Sequence, residues 1–294
     1  MRSLVLTLNM AILAANMSGA SLKPETVNAW DEYVRNARVR MEQRLSGDST
    51  FLWIDESPDR AARVLRRQTV VAPMGPQVPA KVPDGLVHHW IGAAFIPGAE
   101  INDILCVMRD YGRYREFYSP SVVESQALAT SKTVDQFSMV LVNRSLFSKT
   151  ALQGNYQSSY VRIDDRRLYS VSNTTSMREI ADYGSPGQHL LPDNEGMGLI
   201  WRGYSFMRFE ERNGGVYIET EVLALSRDIP PGLRWLVEPI VRRTSRDALT
   251  TALRQTRDAV QYALAGSRPP QALHPALIDV DFRPVDFRPS TDRR

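Results

Sequence analysis

The chain has 294 residues, 43% of them hydrophobic and 23% charged, with a net charge of +3 and a pI near 9.0. That balance excludes an intrinsically disordered polymer and supplies enough apolar side chain for a full core. The 36 basic residues are nearly all arginine and are spread along the chain; only Arg242, Arg243 and Arg246 cluster. They lack interleaved aromatics, so they read as a solvated helix face and nucleic acid is excluded as an expected partner.

The first 20 residues, MRSLVLTLNMAILAANMSGA, carry one early charge at Arg2, an apolar run over residues 4 to 15, and small residues at Ser18 and Ala20. This is the pattern of an export signal cleaved after Ala20, and it predicts a periplasmic or secreted protein. A bilayer span needs about 20 apolar residues, and Asn9 and Asn16 interrupt this run too early. The single Cys106 lies in an apolar helical stretch, cannot form an internal disulfide, and reads as a small core residue.

Residues 21 to 83 read as an N-terminal helical extension and a linker. Val27, Trp30, Val34, Ala37, Met41 and Leu45 recur at spacings of three and four, which predicts an amphipathic helix that must lie against something apolar. FLWID follows, then SPDRAARVLRR with Ser57 as N-cap and Pro58 at the first helical position. The stretch VVAPMGPQVPAKVPDG is Pro-rich and predicts a linker, with a boundary near residue 84.

From Leu86 the pattern becomes alternating, with strand-like runs at 86 to 96, 120 to 129, 135 to 147, 151 to 163, 167 to 180, 198 to 211 and 216 to 226. Between the first two lies FIPGAEINDILCVMRDYGRYREFY. Its single Gly98 is followed by Glu100 and Asp103, carboxylates that complement a helix N-terminus and would repel a phosphate, so it predicts a scaffold corner. One hairpin can be registered by charge. A turn at Asn213 and Gly214 sets Arg208 against Glu219, Phe209 against Ile218 and Met207 against Thr220; a one-residue slip would set Glu210 against Glu219. The favourable register points Val216, Ile218, Val222 and Ala224 inward, and Glu219 and Glu221 outward.

After the last strand, IPPGLRWLVEPIVRRTSRDALTTALRQTRDAVQYAL predicts a long helix. An apolar stripe through Leu233, Leu236, Val237, Ile240, Val241, Ala248, Leu249, Ala252, Leu253 and Val260 runs along it, and Pro239 kinks or restarts it. The tail over residues 266 to 294 is Pro-rich and repeats VDFRP in tandem, which predicts disorder or a docking peptide anchored by Phe282 and Phe287.

The stretch FIPGAEINDILCVMRDYGRYREFYSP, the six strands after it and the closing helix resemble the START-like (SRPBCC, polyketide cyclase, Bet v 1-like) superfamily over roughly residues 84 to 265. The resemblance implies an α+β helix-grip fold, a curved antiparallel sheet wrapped around a long C-terminal helix with a hydrophobic cavity between them. It also implies a gating loop, here DYGSPGQHLLPDNEG over residues 182 to 196, with Leu190 and Leu191 as lid residues.

Of the four histidines, His88 and His89 are adjacent on a strand and point to opposite faces, His189 sits in the loop and His274 in the tail; no metal-ligand spacing exists. No metal and no cofactor is expected. His89, sharing a face with Val87, Ile91, Ala93 and Phe95, is expected in the cavity. Asn143 shares a face with Phe137, Met139 and Leu141. Tyr156 and Tyr160, with Trp201, Ser205, Met207 and Phe209 on the sixth strand, and Leu236 and Ile240 on the helix, complete the expected lining. The sequence contains no visible nucleophile constellation. The expectation is an exported domain that binds a lipid or other hydrophobic small molecule, with peripheral membrane contact as a further expectation. A cyclase or aromatase using His89, Asn143 and the tyrosines is the first rival, and a non-catalytic interaction protein the second.

Overall fold

A computed structural model describes residues 19 to 144 and 149 to 266. The apolar core of the predicted export signal, and the VDFRP tail with His274, Phe282 and Phe287, lie outside the described residues. In chain order the elements are β1 (Ala20–Ser21), α1 (Pro24–Ser46), a 3-10 turn (Trp53–Glu56), α2 (Pro58–Leu65), β2 (Val70–Pro73), β3 (Ala80–Val82) and β4 (Gly85–Pro97). Helix α3 (Ile101–Met108) and the single turn α4 (Tyr114–Phe117) follow, then β5 (Val122–Ala129), β6 (Asp135–Arg144), β7 (Lys149–Arg162) and β8 (Arg167–Ala181). The short β9 (His189–Leu190) and β10 (Glu195–Gly196) precede β11 (Arg202–Arg212), β12 (Gly215–Arg227) and the closing helix α5 (Arg234–Leu264).

The long strands form one antiparallel sheet in the order β4-β12-β11-β8-β7-β6-β5. First and last strands are therefore neighbours, and α3 and α4 carry the chain from one edge of this order to the other. Helix α5 returns from β12 and packs on β4, β2 and α3. This is the α+β helix-grip arrangement: an antiparallel sheet holding a C-terminal helix against one face. Each of the seven strand runs carries a strand within its described residues, and the β11–β12 register is the one set by charge, with Arg208 opposite Glu219 and Met207 opposite Thr220. Asn213 and Gly214 both take positive φ, 55° and 71°, as a two-residue turn between right-twisted strands requires.

Local signals explain the helix starts. The Ser57 hydroxyl accepts from the Arg60 amide and caps α2. At α3, Glu100 and Asp103 form a reciprocal capping box, and the preceding corner takes Gly98 at φ 74°. The carboxylates thus satisfy the helix N-terminus themselves, and the corner is scaffold.

One expectation is corrected here, and another finds its partner surface. The Pro-rich stretch expected as a linker contributes β2 and β3, which pair side by side along β4: Val70–Pro73 against residues 90 to 93, and Ala80–Val82 against residues 85 to 87. The prolines sit at strand ends, where a missing N–H costs no ladder bond. The N-terminal helices, in turn, form a layer over the sheet face opposite α5. Trp30, Val34, Ala37 and Met41 of α1 pack with Val87, Phe206, Leu223 and Leu225, and Phe51, Leu52, Trp53 and Ile54 pack with Ile91, Ala93, Phe95 and Tyr217. Glu219 and Glu221 point away from α5 as the register requires, yet they are buried beneath this layer rather than solvated.

Candidate functional site

Strand β4 is buried on both faces, and its neighbouring histidines part company. Residues opposite one another across a ladder share a face. His88 lies opposite Ala224, Trp90 opposite Val222, and Gly92 opposite Thr220. Trp90 joins the core cluster of α5 with Ala94, Ile96, Leu249 and Leu253, so His88, Trp90 and Thr220 belong to the inner, helix-facing surface. Helix α5 packs tightly on this face at Gly92, where a Cβ would stand 2.7 Å from Leu253 Cδ1.

The inner face beyond the helix contact is built of short side chains. Gly203, Ser205 and Met207 of β11 lie beside Ala224, Val222 and Thr220 of β12, and Ser170 and Ser172 of β8 lie opposite Met207 and Ser205. Three buried polar atoms here have no hydrogen-bond partner: His88 Nδ1, Trp90 Nε1 and Thr220 Oγ1. Burial pulls the His88 imidazole down to about 4, so the ring is neutral at pH 7. Its Nε2 lies 2.9 Å from Ser226 Oγ.

Helix α5 treats this surface differently along its length. In its C-terminal half Leu249, Leu253, Thr256, Ala259 and Val260 are buried. At about 100° per residue, Trp235 lies in phase with Leu253, yet it is 78% exposed. With Arg234, Glu238, Pro239 and Arg242 it lines an open groove of about 350 Å³. The helix face that meets the sheet at one end therefore leaves it at the other. Leu236 and Ile240, 39% and 59% exposed, are offset from Leu253 by roughly 100° and 140° at that pitch. They leave the sheet-facing stripe in which they were expected and form a separate exposed apolar strip.

On the outer face the charged groups around Arg208 are paired, while Trp201 Nε1 and the Tyr204 hydroxyl have no partner. His89 Nε2 lies 2.8 Å from Glu221 Oε1 and its Nδ1 lies 3.1 Å from the Tyr33 hydroxyl of α1. Arg208, fully buried, donates through Nε to Glu219 Oε1 at 2.8 Å and through Nη2 to Glu221 Oε2 at 3.2 Å. Glu219 also accepts from the backbone amides of Trp53 and Ile54. Burial pushes the Glu221 carboxyl up, but the His89 hydrogen bond and the Arg208 charge outweigh it and hold the group below its ordinary value. Burial pushes Glu219 up against the pull of Arg208.

The expected lining residues thus fall into several places. His89 and Ile91 lie on the outer face under the N-terminal layer, because the near-continuous apolar run of β4 hides which parity looks at α5. Trp201 precedes β11 and turns to the outer cluster. Met207 packs against the inner core. Met139, Leu141 and Tyr156 gather with Tyr111, Tyr114 and Phe137 under α4, and Asn143 is exposed at the end of β6. The Tyr160 hydroxyl donates to the Met108 carbonyl at 3.1 Å and meets Tyr111 at 3.3 Å, and burial raises it above the ordinary tyrosine range. Beside it, buried Asp135 accepts from Arg109 Nε at 2.8 Å and from Tyr111 at 2.9 Å, a closed structural network that sequence patterning had not brought together. The loop expected as a lid is tied down: β9 pairs with β8, β10 pairs with β1, the Leu191 amide donates to the Glu179 carbonyl, and Glu179 accepts from the Met197 and Leu199 amides. Leu190 and Leu191 are half-buried within it. His88 carries no signal of its own in the sequence; its register opposite Ala224 is what brings it to the inner face. Among the described residues no cluster of three or more metal-ligating side chains occurs, and no helix is long and apolar enough to cross a membrane.

No protein-family model and no curated protein matches the chain. Solved structures show likeness at low identity. A STAR-related lipid transfer protein from Xanthomonas axonopodis is 17% identical, with 63% of this chain and 98% of that chain covered and a TM-score of 0.42. The Zhui aromatase/cyclase from Streptomyces is 8% identical over 61% of this chain and 98% of that one, with a TM-score of 0.36. A START superfamily protein from Mycobacterium smegmatis is 8% identical over 58% and 97%, with a TM-score of 0.35.

Proposed function

We propose that the protein binds a lipid or other hydrophobic small molecule against the inner face of the sheet, entering beneath the N-terminal half of α5. The observation that carries this reading is the change along α5. Its sheet-facing side packs Leu249 and Leu253 tightly, then presents Trp235 to an open groove while the sheet offers Gly203, Ser205 and Ala224 in place of large side chains. An exposed apolar helix end and a sheet face of short side chains are surfaces that a hydrophobic ligand can cover.

Acid/base catalysis of the cyclase type is less well supported, because its expected groups do not converge. His89 is on the other face, Asn143 is exposed and Tyr160 is committed to Met108 and Tyr111. Export after Ala20 stays part of the proposal, and so does contact with a membrane surface. The exposed Trp235, Leu236 and Ile240 lie near Arg242, Arg243 and Arg246, an apolar and basic surface suited to anionic lipid headgroups.

Native mass spectrometry of the full chain, purified and then incubated with a total lipid extract, tests the binding reading. The expected spectrum shows a one-to-one adduct that organic solvent removes. A bare protein mass before and after incubation contradicts it.

A further inference from the structure

A second open groove, of about 530 Å³, lies at the C-terminal end of α5 where α4 meets it. Its apolar lining is Phe117 of α4 with Ala259 and Tyr262 of α5, and Tyr262 is 59% exposed. Its charges come from both walls, Arg113 and Glu116 from the α4 side and Asp258 from α5. Arg113 pairs with Glu116 at 2.9 Å and with Asp110 at 3.7 Å, and Asp258 pairs with Arg257 at 3.1 Å. All of these side chains are partly exposed, where ion pairs contribute little and exchange freely. Gln255 donates to the Ser119 carbonyl at 2.7 Å and ties the two walls together.

The chain leaves α5 beside this groove. Gly266 takes φ 78°, a left-handed turn that carries the backbone off the helix axis. Residues 267 to 294 follow, and they hold VDFRP at 280 to 284 and again at 285 to 289. Phe282 comes 16 residues after Gly266, and an unconstrained chain of that length spans roughly 20 to 24 Å. The part of α5 that lines the groove, from Gln255 to the helix end, is roughly 14 Å long, so both repeats are within reach. Each Arg of the motif precedes a proline, which favours an extended or polyproline-II backbone. At three residues per turn, the Asp and Arg flanking each Phe point about 120° away from it on either side. A Phe ring set against Phe117 and Tyr262 then sends its Asp toward Arg113 on one wall and its Arg toward Asp258 on the other.

We propose that this groove is the docking site for a VDFRP repeat of the chain's own tail, anchored by Phe282 or Phe287. The two repeats are identical, so either fills the groove and the other stays free. The site is independent of ligand binding beneath the N-terminal half of α5. A tether of this length holds the tail at roughly millimolar effective concentration, which competes about tenfold against a free peptide of about 100 μM affinity.

The test titrates a fluorescein-labelled VDFRPVDFRP peptide into the full-length chain and reads anisotropy. The double variant Phe282→Ser with Phe287→Ser empties the groove, and it should bind the peptide about tenfold more tightly than wild type. Each single variant keeps one intact repeat and should stay within about twofold of wild type. Adding Tyr262→Ser or Asp258→Arg to the double variant should weaken the peptide by at least about tenfold; both positions are exposed, and thermal melting confirms that each variant is folded. Equal peptide affinity for wild type and the double variant, no binding to either, or binding indifferent to both groove substitutions overturns the proposal. Sedimentation identifies the other occupants: a wild-type dimer that the double variant dissolves assigns the groove to a second copy's tail and overturns docking within one chain.

Discussion

His88 and His89 are consecutive in sequence and both buried, yet one belongs to the face under α5 and the other to a charged network under the N-terminal layer. Outside, every member of the His89, Glu221, Arg208 and Glu219 group is satisfied, with Tyr33 and the amides of Trp53 and Ile54 closing the network from the N-terminal layer. Inside, His88, Trp90 and Thr220 each keep a polar atom unmatched. Unmatched polar atoms occur on the outer face as well, at Trp201 Nε1 and the Tyr204 hydroxyl, so the contrast lies in the charged network that the outer face alone holds here. The outer network ties the covering layer to the sheet.

The sharpest way to break the comparison is at Arg208. Replacing it by Met leaves two buried carboxylates without their cation, and should cost about 3 to 5 kcal/mol in urea denaturation. A loss under about 1 kcal/mol would mean that the outer face tolerates unmatched charge and that the contrast is not real. A smaller effect comes from the inner histidine through pH. The unfolded chain protonates this ring near 6.5 and the folded chain only near 4, so stability is fully present above about pH 6.5 and falls as pH drops between those values. Wild type should lose roughly 2 to 3 kcal/mol more than His88→Leu between pH 7 and pH 4.5, read from denaturation midpoints at the two pH values. Equal losses would show that His88 is not held neutral by burial.

At Gly92 the helix contact itself can be tested. A Cβ there would meet Leu253 Cδ1 at 2.7 Å and Val71 Cγ2 at 2.9 Å, so Gly92→Ala should destabilise by about 1 to 3 kcal/mol through overpacking. A neutral result would mean that the C-terminal half of α5 is no tighter than its N-terminal half, and the contrast between the halves would lose its structural basis.

Much of this architecture is legible in the sequence where one physical signal acts alone. The β11–β12 register follows from opposing charges at Arg208 and Glu219, and the helix starts follow from Ser57, Glu100 and Asp103. The face of His89 was not legible, because GLVHHWIGAAFIP is apolar at both parities and only a cover on both sides makes such a strand stable. That same lack of alternation was the available sign that the N-terminal helices lie on the sheet. Leu236 and Ile240 were grouped with Leu253 because a stripe of threes and fours drifts around a helix over many residues; across 13 residues the offset grows to roughly 140°. The Asp135, Arg109 and Tyr111 network joins the segment just after α3 to the start of β6, a proximity that no local pattern reports.

The five tryptophans divide between the faces, and their indole N–H signals offer the most direct test of the central claim. Trp30, Trp53 and Trp201 belong to the outer clusters, Trp90 to the inner face and Trp235 to the open groove on the N-terminal half of α5. Titrating the nitrogen-15 labelled protein with 1-dodecanol should move the Trp90 and Trp235 resonances together and leave the other three in place. Movement confined to the outer three, or a spectrum that does not change at saturating probe, would contradict a hydrophobic site between the sheet and its closing helix.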